Sequence, residues 1–137
     1  MNRITYVKIA GKEYPMSFSL GATKKIIEKY GSVSKMQSEL KKSSEVDKIG
    51  MISELLSLLI YQGCAYKNYF EKDIPAPENA PIVDEKWTPL PADVIDIALG
   101  VMDIEEVSKK IEECMSAGSN KEVEIRTEGK NAKGAQE

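Results

Sequence analysis

Histidine is absent from the 137 residues, which removes the side chain that most often moves protons near neutral pH and the imidazole ligands of many metal centres. Without a histidine to activate it, neither Cys64 nor Cys114 is a good candidate nucleophile. The two cysteines form no CxxC and sit inside apolar helical patterns, so two buried, reduced thiols are expected rather than a disulfide framework. The phosphate loops GxGxxG and GxxxxGK[ST] and the nucleophile elbow GxSxG are all missing. Arginine is scarce, with only Arg3 and Arg126. The N-terminal MNRITYVKIAG lacks the apolar core of a signal peptide, and no apolar run approaches the roughly 18 residues of a membrane span. These absences predict a soluble, cytosolic, non-enzymatic chain with no catalytic, cofactor-binding or metal-binding residues.

The residues that are present favour one domain of 15.2 kDa, 42% hydrophobic and 30% charged, long enough to bury a core. The net charge of -3 conceals an asymmetry. Residues 1–42 carry nine Lys/Arg against three Asp/Glu, residues 43–117 six against fifteen, and residues 118–137 four of each. Complementarity within the molecule or between subunits explains such a division, and a possible homo-oligomer follows from it. The alternative is a nucleic-acid face around Lys24, Lys25, Lys29, Lys35, Lys41 and Lys42. A lysine cluster without arginine forks is a weak phosphate reader, which places nucleic acid second.

The pattern predicts an α+β fold, mostly α, with an N-terminal β-hairpin followed by a bundle of about five helices around one long central helix. Residues 3–9 are β-branched and aromatic, and Tyr14, Met16 and Phe18 alternate onto one face after a turn at Gly11. Pro15 marks a sheet edge or bulge. Ser19 caps a helix over 20–30, with Leu20, Ile26, Ile27 and Tyr30 apolar and Gly31 closing it. Val33, Met36 and Leu40 recur in a second helix over 34–42. Ser44 and Asp47 resemble a capping box opening the central helix over 45–71. Its stripe runs through Val46, Ile49, Ile52, Leu55, Leu56, Leu59, Ile60, Gly63 and Tyr66, widened by Met51, Leu58 and Phe70, so burial on more than one side is expected. Gly50 and Gly63 inside it are expected to permit close packing.

Five of the six prolines fall in residues 72–91, an excursion in which Trp87 and the pair Ile82, Val83 are apolar enough to dock. Pro91 suits the first position of a helix over 91–99, ended by Gly100. Asp103 and Glu106 have capping-box spacing ahead of a last helix over 104–117, with Ile104, Val107, Ile111, Cys114 and Met115 on a narrow stripe. One folded domain over 1–117 and a polar, disordered tail over 118–137 complete the organisation. The carboxylate pairs Glu105, Glu106 and Glu112, Glu113 read as the solvated face of that last helix. Asp93, Asp96 and Asp103 lack the spacing of a calcium loop.

Residues 7–32, VKIAGKEYPMSFSLGATKKIIEKYGS, run from a short strand through a glycine turn and a Tyr-Pro strand ending in Phe to a capped helix closing on Glu-Lys-Tyr-Gly. This stretch resembles the opening of the tail assembly chaperones of long-tailed (siphovirus-type) bacteriophages and prophages, and the rest is similar in architecture up to about residue 117. The resemblance implies a non-enzymatic protein of the host bacterial cytoplasm, absent from the mature virion. Such a protein keeps the tape measure protein soluble and helps recruit tail tube subunits. Some members have a longer form made by translational frameshifting. No cofactor and no catalytic residue is carried over.

A chaperone for a long helical client needs apolar grooves that accept amphipathic helices. Met51, Leu55 and Leu58 are the candidate partner-binding residues, and Lys24, Lys25, Lys29 and Lys35 the candidate basic face. Methionines at or beside the apolar stripes, Met36, Met51, Met102 and Met115, would make such a surface adaptable. The competing functions are a small nucleic-acid-binding regulator using residues 24–42 and a structural tail component.

Overall fold

Alternating apolar residues draw Thr5–Ile9 (β1) and Lys12–Met16 (β2) into an antiparallel hairpin, with Thr5 opposite Met16 and Ile9 opposite Lys12. Its connection is the pair Ala10, Gly11, and both have positive φ, 51° and 82°. A two-residue primed turn requires that at both positions, because its twist then matches the strands. Val7, Ile9, Tyr14 and Met16 are buried beneath the hairpin. The computed structural model describes residues 4–119, so most of the tail expected over 118–137 lies outside the described residues.

Serines start the first three helices. Ser19 accepts from the Ala22 amide at 3.2 Å ahead of Leu20–Tyr30 (α1), and Ser32 from the Lys35 amide at 3.0 Å ahead of Val33–Lys42 (α2). Ser44 accepts from the Asp47 amide at 3.3 Å ahead of Glu45–Phe70 (α3). Gly31, at φ 98°, ends α1 where it was expected to. The buried face of α1 differs from the expectation. Ala22 and Ile26 supply it, while Leu20 and Ile27 are exposed, because only one narrow side of this short helix meets the core.

α3 is the spine. Ile52, Leu55, Leu56, Leu59 and Ile60 are buried along it, but Val46, Ile49 and Phe70 at its ends emerge into solvent. It is the one described helix long and apolar enough to cross a membrane, and 44% of its apolar window is buried within this fold. The two glycines behave differently. A Cβ on Gly63 would press on the Pro15 carbonyl and stand 2.7 Å from the Met16 nitrogen. β2 therefore lies with its main chain directly on α3, and the Ser17 amide donates to the Leu59 carbonyl at 3.0 Å. Gly50 has nothing within 4 Å of a Cβ, so its expected packing role is not found.

The proline-rich excursion is ordered. The Asn79 carbonyl accepts from the Glu13 amide at 3.0 Å, covering part of the outer edge of β2, and Ala80 is buried beside it. Ile82–Val83 (β3) and Lys86–Trp87 (β4) form a two-residue antiparallel pair. Trp87 docks as expected: Asn68 brackets its backbone with two hydrogen bonds of 2.9 Å, and the Lys67 ammonium lies 5.4 Å from its ring and 5.3 Å from that of Tyr6. Ile82 and Val83 do not dock. They remain exposed, because β3 pairs with β4 and reaches no core surface.

Pro91 precedes Ala92–Ala98 (α4) as an extended residue rather than occupying its first turn. Asp103 is also used differently from the expected box with Glu106. Its carboxylate accepts from the Gly100 amide at 2.8 Å and closes a 3-10 turn over Val101–Asp103. The last helix, Ile104–Ser119 (α5), buries Val107, Ile111, Cys114 and Met115. It continues through Gly118, where its end was expected, because α5 crosses Phe18 there and a Cβ would stand 2.7 Å from the Phe18 Cβ.

The contrast between the α3 glycines gives a direct test. Gly63→Ala should destabilise the protein by about 2 kcal/mol or more, since main chain rather than a flexible side chain opposes the new Cβ. Gly50→Ala should stabilise it by up to about 1 kcal/mol through helix propensity. Urea unfolding followed by circular dichroism measures both, and equal effects would contradict the close approach at Gly63.

Candidate partner-binding groove

Met51, Glu54, Leu55 and Leu58 are spaced i, i+3, i+4 and i+7 on α3 and therefore share one face of it. α1 and α2 cover that face incompletely. Ile26 and Tyr30 of α1 and Met36 of α2 stand opposite, leaving a groove of ≈ 370 Å³ with a predominantly apolar lining. Leu55 is 6% exposed and belongs to the core floor, whereas Met51 and Leu58 are half-buried and can be reached from outside. The Met51 sulfur lies 3.5 Å from the Ser43 hydroxyl oxygen, where the α2–α3 connection closes one end.

Charged groups form the lip. Lys29 of α1 is paired with Glu54 of α3 across the groove, and Lys25 and Glu28 stand on the same lip. The hydrogen bond that Lys29 donates to the Glu54 carboxylate raises the Lys29 pKa against the opposing effect of partial desolvation. Such an exposed pair contributes little stability; its effect is to fix where charge sits. Burial likewise raises the Tyr30 phenol, whose ring centroid lies 5.7 Å from the Lys29 ammonium.

All three residues singled out from the central helix, Met51, Leu55 and Leu58, thus line one groove, and so do Lys25 and Lys29. Lys24 and Lys35 are exposed outside it, with the stem of Lys35 laid along Gly31. Met36, one of the methionines expected to make such a surface adaptable, lines it too, and Ile26, Glu28, Tyr30 and Glu54 complete the lining without having been grouped with it. Their apolar spacing was visible within each helix, but the crossing of α1 over α3 is a tertiary fact.

The remaining candidate chemistry is dispersed. Among the described residues no group of three His, Cys, Asp or Glu side chains could hold a metal ion. Glu105, Glu106 and Glu113 are exposed and Glu112 is half-buried. Cys64 and Cys114 are free and buried, and burial pushes each thiol from 9.0 up to about 12. For Cys114 burial outweighs hydrogen bonds from the Phe18 backbone and Thr5. No family model, curated protein or solved structure matches the chain.

The thiols predict a pH dependence. A folded-state pKa above the unfolded value keeps the neutral form favoured, so this contribution is complete below about pH 9 and is lost as the pH rises toward about 12. Between pH 8 and pH 11 the urea midpoint of the wild type should fall more steeply than that of a Cys64→Ala/Cys114→Ala variant. Parallel slopes would show that the thiols do not carry the effect.

Proposed function

We propose that this chain is a non-enzymatic tail assembly chaperone of a long-tailed phage or prophage. In this reading it holds a helical segment of the tape measure protein in the groove between α1, α2 and α3, keeps that client soluble in the host cytoplasm, and helps recruit tail tube subunits. The observation that carries the reading is the groove itself: an apolar trough beside an α-helix, open enough at Met51 and Leu58 to receive side chains spaced i, i+3/i+4 and i+7 on an amphipathic partner. Met36 and Met51 give it walls that adapt to irregular client sequences. The similarity of residues 7–32 to the opening of that family supports the same reading.

The nucleic-acid alternative draws on the lysines of α1 and α2. Lys29 is already held by Glu54, and Glu28 and Glu39 interrupt the lysine series, which weakens that alternative. Coexpression separates the readings. The chain should move a tape measure protein from the pellet to the supernatant, and Met51→Glu or Leu58→Asp should abolish the effect while leaving the chaperone's own melting temperature within a few degrees of wild type. Leu55 is unsuitable for this purpose, because a charge at so buried a position costs several kcal/mol and would unfold the chain. DNA or RNA binding that weakens steeply with salt and disappears when Lys24, Lys25 and Lys29 are replaced, without any solubilisation, would replace the chaperone reading with the alternative.

A further inference from the structure

The N-terminal hairpin has one closed edge and one open one. In a two-residue hairpin the pair flanking the turn, Ile9 and Lys12, is hydrogen-bonded, so Thr5, Val7 and Ile9 turn their main-chain groups toward β2 while Tyr6 and Lys8 turn theirs outward. On β2 the outward groups are those of Glu13, Pro15 and Ser17, and that edge is closed. The Glu13 amide donates to Asn79, the Ser17 amide donates to Leu59, and Pro15 has no amide to satisfy. On β1 no described backbone group pairs with the outward amides and carbonyls of Tyr6 and Lys8. Such an edge is a template for another strand. Beside it lies a depression of ≈ 470 Å³, bounded by Val7, Lys8 and Ala10 on the hairpin and by Leu99, Val107 and Lys110 opposite.

The end of α5 brings the chain back to that edge. Val107 and Lys110, near the start of α5, share the depression with Ala10 and Gly11 at the hairpin turn. Cys114 is hydrogen-bonded to Thr5, and Gly118 meets Phe18, at the opposite end of the hairpin. α5 therefore runs antiparallel to β1, and a chain that leaves it at Ser119 and turns back runs parallel to β1. About two strand spacings, roughly 10 Å, take it to the outer side of β1, a distance that three residues cover. The residues that follow alternate: Val123, Ile125 and Thr127 are β-branched, with Glu122, Glu124 and Arg126 around and between them. Val123 and Ile125 are also the only large apolar residues after Ser119.

We propose that residues 121–127 of the same chain, which lie outside the described residues, add to β1 as a third, parallel strand and close this edge. The register sets Val123 beside Val7 and Ile125 beside Ile9. The Val123 and Ile125 amides then donate to the Tyr6 and Lys8 carbonyls, and both side chains enter the depression. The same register sets Glu124 beside Lys8, which stands opposite Glu13 on its other side, so the lysine lies between two carboxylates. A shift by one residue would turn Glu122 and Glu124 onto the apolar side and leave Val123 and Ile125 in solvent. Tethered so close to its place, the strand has an effective concentration on the order of millimolar, which favours the chain's own segment over one from a second copy. The proposal is independent of the client reading, which concerns a different surface.

Two measurements on the full chain test the strand. Amide hydrogen exchange read by NMR should find the Tyr6 and Lys8 amides protected. Val123→Pro/Ile125→Pro should speed their exchange by about tenfold or more, while the Val7 amide, bonded to β2, keeps its rate. Fast exchange at Lys8 in the wild type, or protection that survives the two prolines, would overturn the proposal. In the second measurement, Lys8→Cys/Glu124→Cys should close an intramolecular disulfide under mild oxidation, with the buried native thiols left out of the reaction. Lys8→Cys/Lys133→Cys should close at least about tenfold more slowly, since Lys133 lies beyond the strand. Equal rates for the two pairs would show no preferred register and overturn the proposal. A disulfide-linked dimer would assign the edge to another copy's segment and overturn it as well.

Discussion

The structure depends on one close approach, the main chain of β2 against α3 at Gly63. A two-stranded hairpin is marginal in water by itself. Here it becomes part of the core because a helix position without a side chain lets the Pro15–Met16 peptide lie on the helix surface. The Leu59 carbonyl, which stands one turn before Gly63, accepts the Ser17 amide as well. A second approach of the same kind occurs where α5 crosses Phe18 at Gly118. The end of the hairpin is thus clamped between two helices at glycines, and the excursion through Asn79 satisfies the Glu13 amide that such a small sheet would otherwise leave open.

That clamp determines what is left over on α3. The hairpin takes the face bearing Gly63, α4 and the segment just before it take the side of Ser53 and Ser57, whose hydroxyls donate to Asp96 and the Leu90 carbonyl, and α1 and α2 remain to cover Met51, Leu55 and Leu58. They are too narrow to do so. α1 buries only Ala22 and Ile26, with Tyr30 packed partly against the core, while Leu20 and Ile27 face solvent. The groove is the deficit between a helix apolar on several sides and two short helices that are each apolar on one.

Local order was largely legible in the sequence because it depends on local chemistry. The serine caps at Ser19 and Ser44, the Gly31 stop and the bounds of α3 follow from groups that interact within one helical turn, and all are found. The expectations that differ involve competition between partners. Asp103 had both Glu106 and Gly100 within reach, and the backbone amide of Gly100 is the group it holds. Gly50 and Gly63 read alike in sequence, and only the placement of β2 distinguishes them. For the site, the α3 half was visible as an apolar excess with Met36 beside it, whereas Ile26 and Tyr30 could be assigned to it only once the crossing of α1 was known.

Among the described residues the two thiols are buried and the carboxylates dispersed, while apolar side chains stand uncovered along α3. Apolar area supplies affinity without direction, and charge supplies direction with little affinity. α3 carries an uncovered apolar surface on each of two opposite sides, one flanked by lysines and the other by carboxylates.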